Sequence, residues 1–278
     1  MTGIASLEQF STAVSDFRKA HGKTLTNCFL MPGEIAALAS EGRIRLASDD
    51  GWLFIVVNNT DYSSLYYYTE KDTSFDGAER LAGLLKNEEV FVDITHRGKT
   101  GDRETPQRLI EHGLAEKYKS YVRMQLPMAN ACIEEAALHK DYTAVTDGFD
   151  AKQITDLWKA ALDEKSTPLP HENELIALAK KGELLCAVDS HGDVCAVVML
   201  SVSGKQAMIE HLAVSPDHRR KGLAAAILSK SLLHAKEMNI GTVRLWVDAE
   251  NAPAISLYNR FGFERDGMIC EQLYMKGM

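Results

Sequence analysis

The sequence predicts an α+β protein of two similar domains in tandem, each a mixed, mostly antiparallel twisted sheet flanked by helices. Three observations carry this. The 278 residues give room for two domains of ordinary size. Segments recur at an offset of 140 residues: Glu34, Ala37, Leu38, Ala39, Gly42 and Ala47 meet Glu174, Ala177, Leu178, Ala179, Gly182 and Ala187, and Lys19-Ala20 meets Lys159-Ala160. The second half also mixes hairpin-linked strands with a late strand-helix-strand unit, the grammar of a mixed sheet.

In each half a helical pattern stops at a glycine, a usual helix C-cap residue, and an apolar strand pattern follows. The first half then gives a strand at "SSLYYYT" from Ser63, with alternating faces, and a short acidic helical stretch in "EKDTSFDGAERLAGLL" from Glu70. It closes with "PQRLIEHGLAEKYKSYVRMQL" from Pro106, a helix, a glycine and a strand, echoed by "AISLYNRFGFERDGMICEQLYM" from Ala254. The first domain is expected over 1–128, a linker over 129–141 with a helical turn near Ile133–His139, and the second domain over 142–278. Helices are expected near 151–161 and 174–181, and strands over 184–189, 193–202 and 206–214, joined by the turns "SHGD" and "SGKQ". A long helix follows over 223–238, its apolar stripe made by Leu223, Ile227, Leu228, Leu232 and Ala235. A strand over 243–247, a helix over 253–261 and a strand near 272–275 complete the order.

With 45% hydrophobic and 25% charged residues, this is the composition of an ordinary globular protein, and its net charge of −8 argues against sequence-independent nucleic-acid binding. The five cysteines, Cys28, Cys132, Cys186, Cys195 and Cys270, form no C-x-x-C pair and point to reduced thiols in a cytoplasm. "MTGIASLEQFSTAV" lacks a basic start and an apolar core, and no apolar run approaches a membrane span, so no signal peptide and no membrane partner are expected. The histidines show no metal-ligand spacing, His171-Glu172 and His234 included, and no metal is expected. "THRGKTGDRE" from Thr95 reads as a polar loop without Walker spacing. Trp52, Trp158 and Trp246 read as core or interface residues.

The stretch "HLAVSPDHRRKGLAAAIL", His211 to Leu228, carries the chemistry. A diphosphate needs several backbone N–H donors converging on one point, and a helix start supplies them with the positive end of its dipole. Gly222 gives the loop a left-handed option and lets phosphate oxygens approach. Ala224 keeps the first turn small, and the neighbouring amides of Leu223 and Ala225 add donors. Arg219, Arg220 and Lys221 add positive charge. The preceding strand Leu212-Ala213-Val214 can pair with an extended, amide-bearing chain. A ligand with a diphosphate at one end and an amide-rich arm at the other fits coenzyme A.

The spacing Arg219-x-x-Gly222-x-Ala224, preceded by Val214-x-Pro216 and followed by Asn251, Tyr258 and Gly262-Phe263, resembles the acyl-CoA signature of the GNAT superfamily of N-acetyltransferases. The resemblance covers the second half, from about Tyr142. The first half has acidic residues where the signature has cations, so it resembles a degenerate GNAT-like copy that no longer holds the cofactor. The resemblance implies acetyl transfer from acetyl-CoA to an amine of a small molecule or peptide, by direct attack in a ternary complex. It places Tyr258 near the CoA sulfur as the acid for the departing thiolate. Glu210 is the candidate base through a water, in phase with Leu212 and Val214 by period two. A bulge in this strand would bring His211 forward instead, and either residue could simply bond a neighbouring strand. The thioester oxygen would meet a backbone N–H of 212–214. Asn251 suits a pantetheine amide or an N-cap equally. Two readings from other classes compete: a non-catalytic acyl-CoA-binding regulatory module, and an interaction scaffold with no cofactor. The acceptor and the oligomeric state have no signature in the sequence.

Overall fold

The computed structural model describes residues 1–59, 61–98, 102, 104–131, 133, 136–163, 165–166, 169–170 and 172–275. Cys132 and His171 lie outside them. Two compact units appear: Met1–Tyr121 with the C-terminal residues from Met268 onward, and Val122–Gly267. This division differs from the linear one expected, 1–128 and 142–278. The reason is strand length. One strand runs without a break from Ala115 to Pro127, and the last strand, Glu264–Met275, pairs with first-unit residues along Met268–Met275. A 3-10 turn forms at Met128–Asn130; of the helical turn expected near Ile133–His139, the described residues 133 and 136–139 are not helical, and 134–135 lie outside the described residues.

The first unit contains β1 (Thr2–Ile4), α1 (Leu7–His21), β2 (Thr24–Thr26), α2 (Pro32–Ser40), β3 (Ile44–Asp49), β4 (Trp52–Asn58), β5 (Ser63–Glu70), α3 (Asp76–Gly83), β6 (Val90–Arg97), α4 (Glu104–Glu111) and the start of β7 (Ala115–Pro127). The second takes β8 (Thr143–Val145), α5 (Ala151–Ala161), α6 (Glu172–Lys180), β9 (Leu184–Val188), β10 (Val194–Ser203), β11 (Gln206–Val214), α7 (Leu223–Glu237), β12 (Thr242–Asp248), α8 (Ala252–Arg260) and the start of β13 (Glu264–Met275). Apart from the short β2, the order β-α-α-β-β-β-α-β-α-β is the same in both, so the internal repeat is structural. The segment read as a loop from Thr95 splits between the end of β6 and the start of α4.

In the first unit the strand order is β1-β3-β4-β5-β6-β13, with β2 on β5, and in the second it is β7-β12-β11-β10-β9-β8. The pairs β1–β3, β3–β4, β4–β5, β2–β5, β6–β13, β8–β9, β9–β10 and β10–β11 are antiparallel, and β5–β6 and β11–β12 are parallel. Both faces of the second unit's sheet are covered. One face, with Ala196, Val198, Leu200, Ile209 and Leu245, packs on Leu223, Ile227, Leu228 and Leu232 of α7 and on Tyr258 of α8. The other, with Val197, Met199 and Ala213, packs on Ile154, Leu157 and Trp158 of α5 and Leu175 of α6. The apolar stripe of α7 explains why a 15-residue helix settles here: burying each such side chain stabilises by about 1.5–3 kcal/mol.

Candidate functional site

The residues expected to form the site lie on β11, the turn after it, the start of α7 and α8 of the second unit. β11 and β12 are in register from Gln206↔Thr242 to Ile209↔Leu245, and there the pairing stops although both strands continue. Residues 210–214 therefore face a gap, and among the described residues no side chain bridges it to β12.

A bulge sits at this point. His211 takes φ 52°, a left-handed value rare for a non-glycine residue, and the β10–β11 register shifts between Val197 and Met199. The extra residue breaks the period-two phase expected for Glu210, Leu212 and Val214. Leu212 and Val214 pack on the α7 core, Ala213 belongs to the α5/α6 core, and Glu210 is the register partner of Met199 in that same layer. His211 does not come forward into the open. Its ring packs on the Trp158 indole, 5.0 Å between centroids, and its Nδ1 is buried with no hydrogen-bond partner. The fully buried Trp158 donates its indole N–H to the His211 carbonyl at 2.7 Å, which holds the bulge. Trp158 and Ser201 are the neighbours that sequence reasoning did not connect to the site. The "SGKQ" turn fixes the β10–β11 register, so Ser201 beside Glu210 was the legible one.

Burial raises the Glu210 carboxyl above its ordinary range, against a lowering by the nearby Ser201 hydroxyl. Burial pushes His211 down to about 4 from an ordinary 6.5, so the ring is neutral near pH 7. Below pH 6.5 the unfolded chain then binds a proton that folded His211 does not, and stability falls with pH, by about 2 kcal/mol between pH 6.5 and 4.5. His211→Asn, which keeps a residue tolerant of positive φ, is expected to remove that share of the acid sensitivity. Urea denaturation at pH 7 and pH 4.5 checks it; an undiminished pH difference would contradict the assignment.

After β11 the chain makes a 3-10 turn at Pro216–His218 and enters α7 through Gly222, whose φ of 80° is left-handed. No side chain caps α7, so the first-turn amides of Leu223, Ala224 and Ala225 keep their donors for an outside acceptor. A Cβ placed on Gly222 would meet nothing within 4 Å, so the space before the helix is open. Arg219, Arg220 and Lys221 are exposed around it, Arg220 with φ 61°, and Arg219 Nε donates to the Val214 carbonyl at 3.3 Å. The Leu223 side chain is buried in the core, so only its backbone is available.

Tyr258 on α8 is 7% exposed, packed with Phe263 at 5.8 Å between centroids, and burial pushes its phenol up to about 12. Asn251 is the N-cap of α8, its Oδ1 accepting from the Ala254 amide at 3.1 Å, which leaves its NH₂ group as a donor. Donor atoms of Asp189, Cys195 and His218 lie within 4.8 Å of one another. Each already has a protein partner: Asp189 accepts from the amides of His191 and Asp193, the Cys195 thiol donates to the Asp193 carbonyl, and His218 Nδ1 meets Tyr142 Oη at 2.9 Å.

The sequence model of the Acetyltransferase (GNAT) family matches residues 151–263, the span from α5 to the end of α8. The [Ribosomal protein bS18]-alanine N-acetyltransferase of Escherichia coli is 30% identical over 114 residues, 40% of this chain and 76% of that protein. The chain belongs to the GNAT acetyltransferase family. Mycothiol acetyltransferase of Clavibacter michiganensis is 38% identical over 86 residues, 31% of this chain and 28% of that enzyme, so the chain matches little more than a quarter of that relative's length. The GCN5-related N-acetyltransferase of Sphaerobacter thermophilus superposes with a TM-score of 0.61 at 17% identity, over 99% of this chain and 94% of that one, so the two share a fold. Among the described residues no helix is long and apolar enough to cross a membrane.

Proposed function

We propose that the Val122–Gly267 unit transfers an acetyl group from acetyl-CoA to an amine. The observation that carries this is the parting of two parallel strands after Ile209↔Leu245, beside an uncapped helix start with a left-handed glycine. The gap suits the amides of a pantetheine arm along Leu212, Ala213 and Val214, with Asn251 contributing its NH₂. The amides and charges of Arg219, Arg220, Lys221, Gly222, Leu223, Ala224 and Ala225 suit the diphosphate. A backbone N–H in the strand stabilises the charge that develops on the thioester oxygen. Both substrates are held for direct attack, so proximity supplies much of the rate.

Glu210 takes the proton from the attacking amine, through a water. It is favoured over His211, whose buried ring is packed against Trp158 and too weakly basic to draw a proton near pH 7. Tyr258 keeps its proton far above neutral pH and donates to the departing thiolate. Glu210→Gln is expected to lower kcat by about 10²-fold with little change in acetyl-CoA affinity. In the wild type, protonation of the carboxylate removes the base, so kcat/KM falls toward acid with a midpoint above the ordinary 4.5. An acid limb that persists in Glu210→Gln would place the base elsewhere.

One relative is named for mycothiol and another for an alanine of a ribosomal protein, so small molecules and peptide N-termini are the acceptor classes to test. The acidic balance of the chain adds polyamines and other cationic amines. The four free cysteines among the described residues agree with a reducing cytoplasm. The test is acetyl-CoA consumption across an amine panel from these classes. Thiol release with one class is expected; tight binding without release across the panel would instead support a regulatory module.

A further inference from the structure

The first unit has its own parting of parallel strands, and the chain fills it. β5 and β6 pair only at Ser63↔Val90 and Ser64↔Phe91, although both strands continue. The side chain of Asn27, just after β2 and 1% exposed, lies between them. Its Oδ1 accepts from the Tyr67 amide at 2.7 Å, and its Nδ2 donates to the Leu65 carbonyl at 3.1 Å and to the Asp93 carbonyl at 3.0 Å. One acceptor and two donors satisfied this way fix the orientation of the carboxamide.

The pattern is informative. In a parallel ladder, one residue of a strand donates to the carbonyl before its neighbour and accepts from the amide after it. Asn27 makes that pair of bonds around Tyr66, then reaches across to β6 as well. A single carboxamide thus does what an amide of an extended ligand would do in such a gap. At the corresponding parting in the second unit no side chain among the described residues does so.

A second observation points the same way. The start of α3, which corresponds to α7, is closed by the β3–β4 hairpin. A Cβ on Gly77 would come within 2.5 Å of the Asp49 carbonyl. Ser74 Oγ and Thr73 Oγ1 donate to Asp50, and the Trp52 indole N–H donates to the Ser74 carbonyl at 2.9 Å. Asp49, Asp50 and Asp76 stand near this helix start, and the Arg80 guanidinium that could meet a diphosphate is already held by the carboxylates of Asp49 at 2.7 Å and Asp50 at 3.7 Å.

We infer that the β5–β6 gap is an amide-binding slot whose resident ligand is the chain's own Asn27 carboxamide, and that this, with β2 paired to Tyr68–Glu70 on the same edge of β5, seals the first unit against an acyl carrier. The sealing of the slot against coenzyme A rests on the proposed function of the second unit; the role of Asn27 does not.

Residue-resolved hydrogen exchange tests the slot directly. The Tyr67 amide is expected to be protected in the wild type and to exchange at least about tenfold faster in Asn27→Ala, while Val56 of the adjacent β4 keeps its rate. Unchanged Tyr67 protection in a folded variant, or an unprotected Tyr67 in the wild type, would overturn the assignment. Calorimetric titration of the intact chain with coenzyme A needs no Asn27 variant. One site per chain is expected, lost entirely in Gly222→Glu. Two sites, or one surviving in Gly222→Glu, would overturn the sealing. No site in the wild type would instead defeat the proposed function, and the exchange of Tyr67 would still decide the role of Asn27.

Discussion

Gly222→Glu is expected to abolish acetyl-CoA binding, weakening it by more than about 10²-fold, in a chain that still folds. Three effects act together. The residue is left-handed at φ 80°, a conformation that costs a side-chain-bearing residue of order 1–3 kcal/mol. The new carboxylate stands at the positive end of α7, where it competes for the first-turn amides that a diphosphate would use. It also projects into the space that the ligand needs, because a Cβ there meets nothing within 4 Å. That open space is also why folding survives: no packed atom must move, and the carboxylate itself caps the helix. Gly222→Ala separates the contributions, since it carries the backbone strain without the charge. Calorimetry on the three proteins, with melting temperatures as a control for folding, reads the series. Equal affinity in Gly222→Glu would remove the diphosphate from this turn.

Tyr258→Phe is expected to lower kcat by about 10²-fold while leaving acetyl-CoA affinity within a few-fold. The phenyl ring keeps the packing on Phe263 and on the α7 core, so the loss is confined to one hydroxyl. A phenol held at about 12 is protonated throughout the neutral range, which makes it a donor to a thiolate. Single-turnover kinetics, which isolate the chemical step, are the direct check. An unchanged rate would return Tyr258 to a packing role. A loss of affinity of the same size as the loss of rate would mean that it binds the carrier instead.

The elements were legible wherever periodicity and punctuation coincide. α5 falls on Ala151–Ala161 and β11 on Gln206–Val214 as read, because Asp150 caps the one and the "SGKQ" turn opens the other. The 140-residue offset places α2 at Pro32–Ser40 and α6 at Glu172–Lys180, the same interval. Strand lengths were less legible. β13 begins at Glu264 rather than near Gln272, since "ERDGMIC" alternates too weakly to read as a strand before its partners are known. The compact units divide within β7, after Tyr121, and within β13, after Gly267, whereas the linear reading placed its boundary between strands.

In the site, backbone chemistry was more legible than side-chain chemistry. Gly222 and the basic turn announced a helix start, and Gly222 is the left-handed N-cap of α7. The bulge left no mark on the sequence around Glu210 and His211. It depends on a carbonyl held by Trp158, more than fifty residues away along the chain. Asn27 was silent for the same reason, since its meaning comes from three backbone groups on β5 and β6.

The most direct measurement is a crystal structure of the intact chain with coenzyme A. The predicted result is density for the diphosphate against the amides of residues 219–225, with the pantetheine arm running between β11 and β12 past Leu212–Val214. A carrier seated anywhere else, with the start of α7 holding only solvent, would contradict the account.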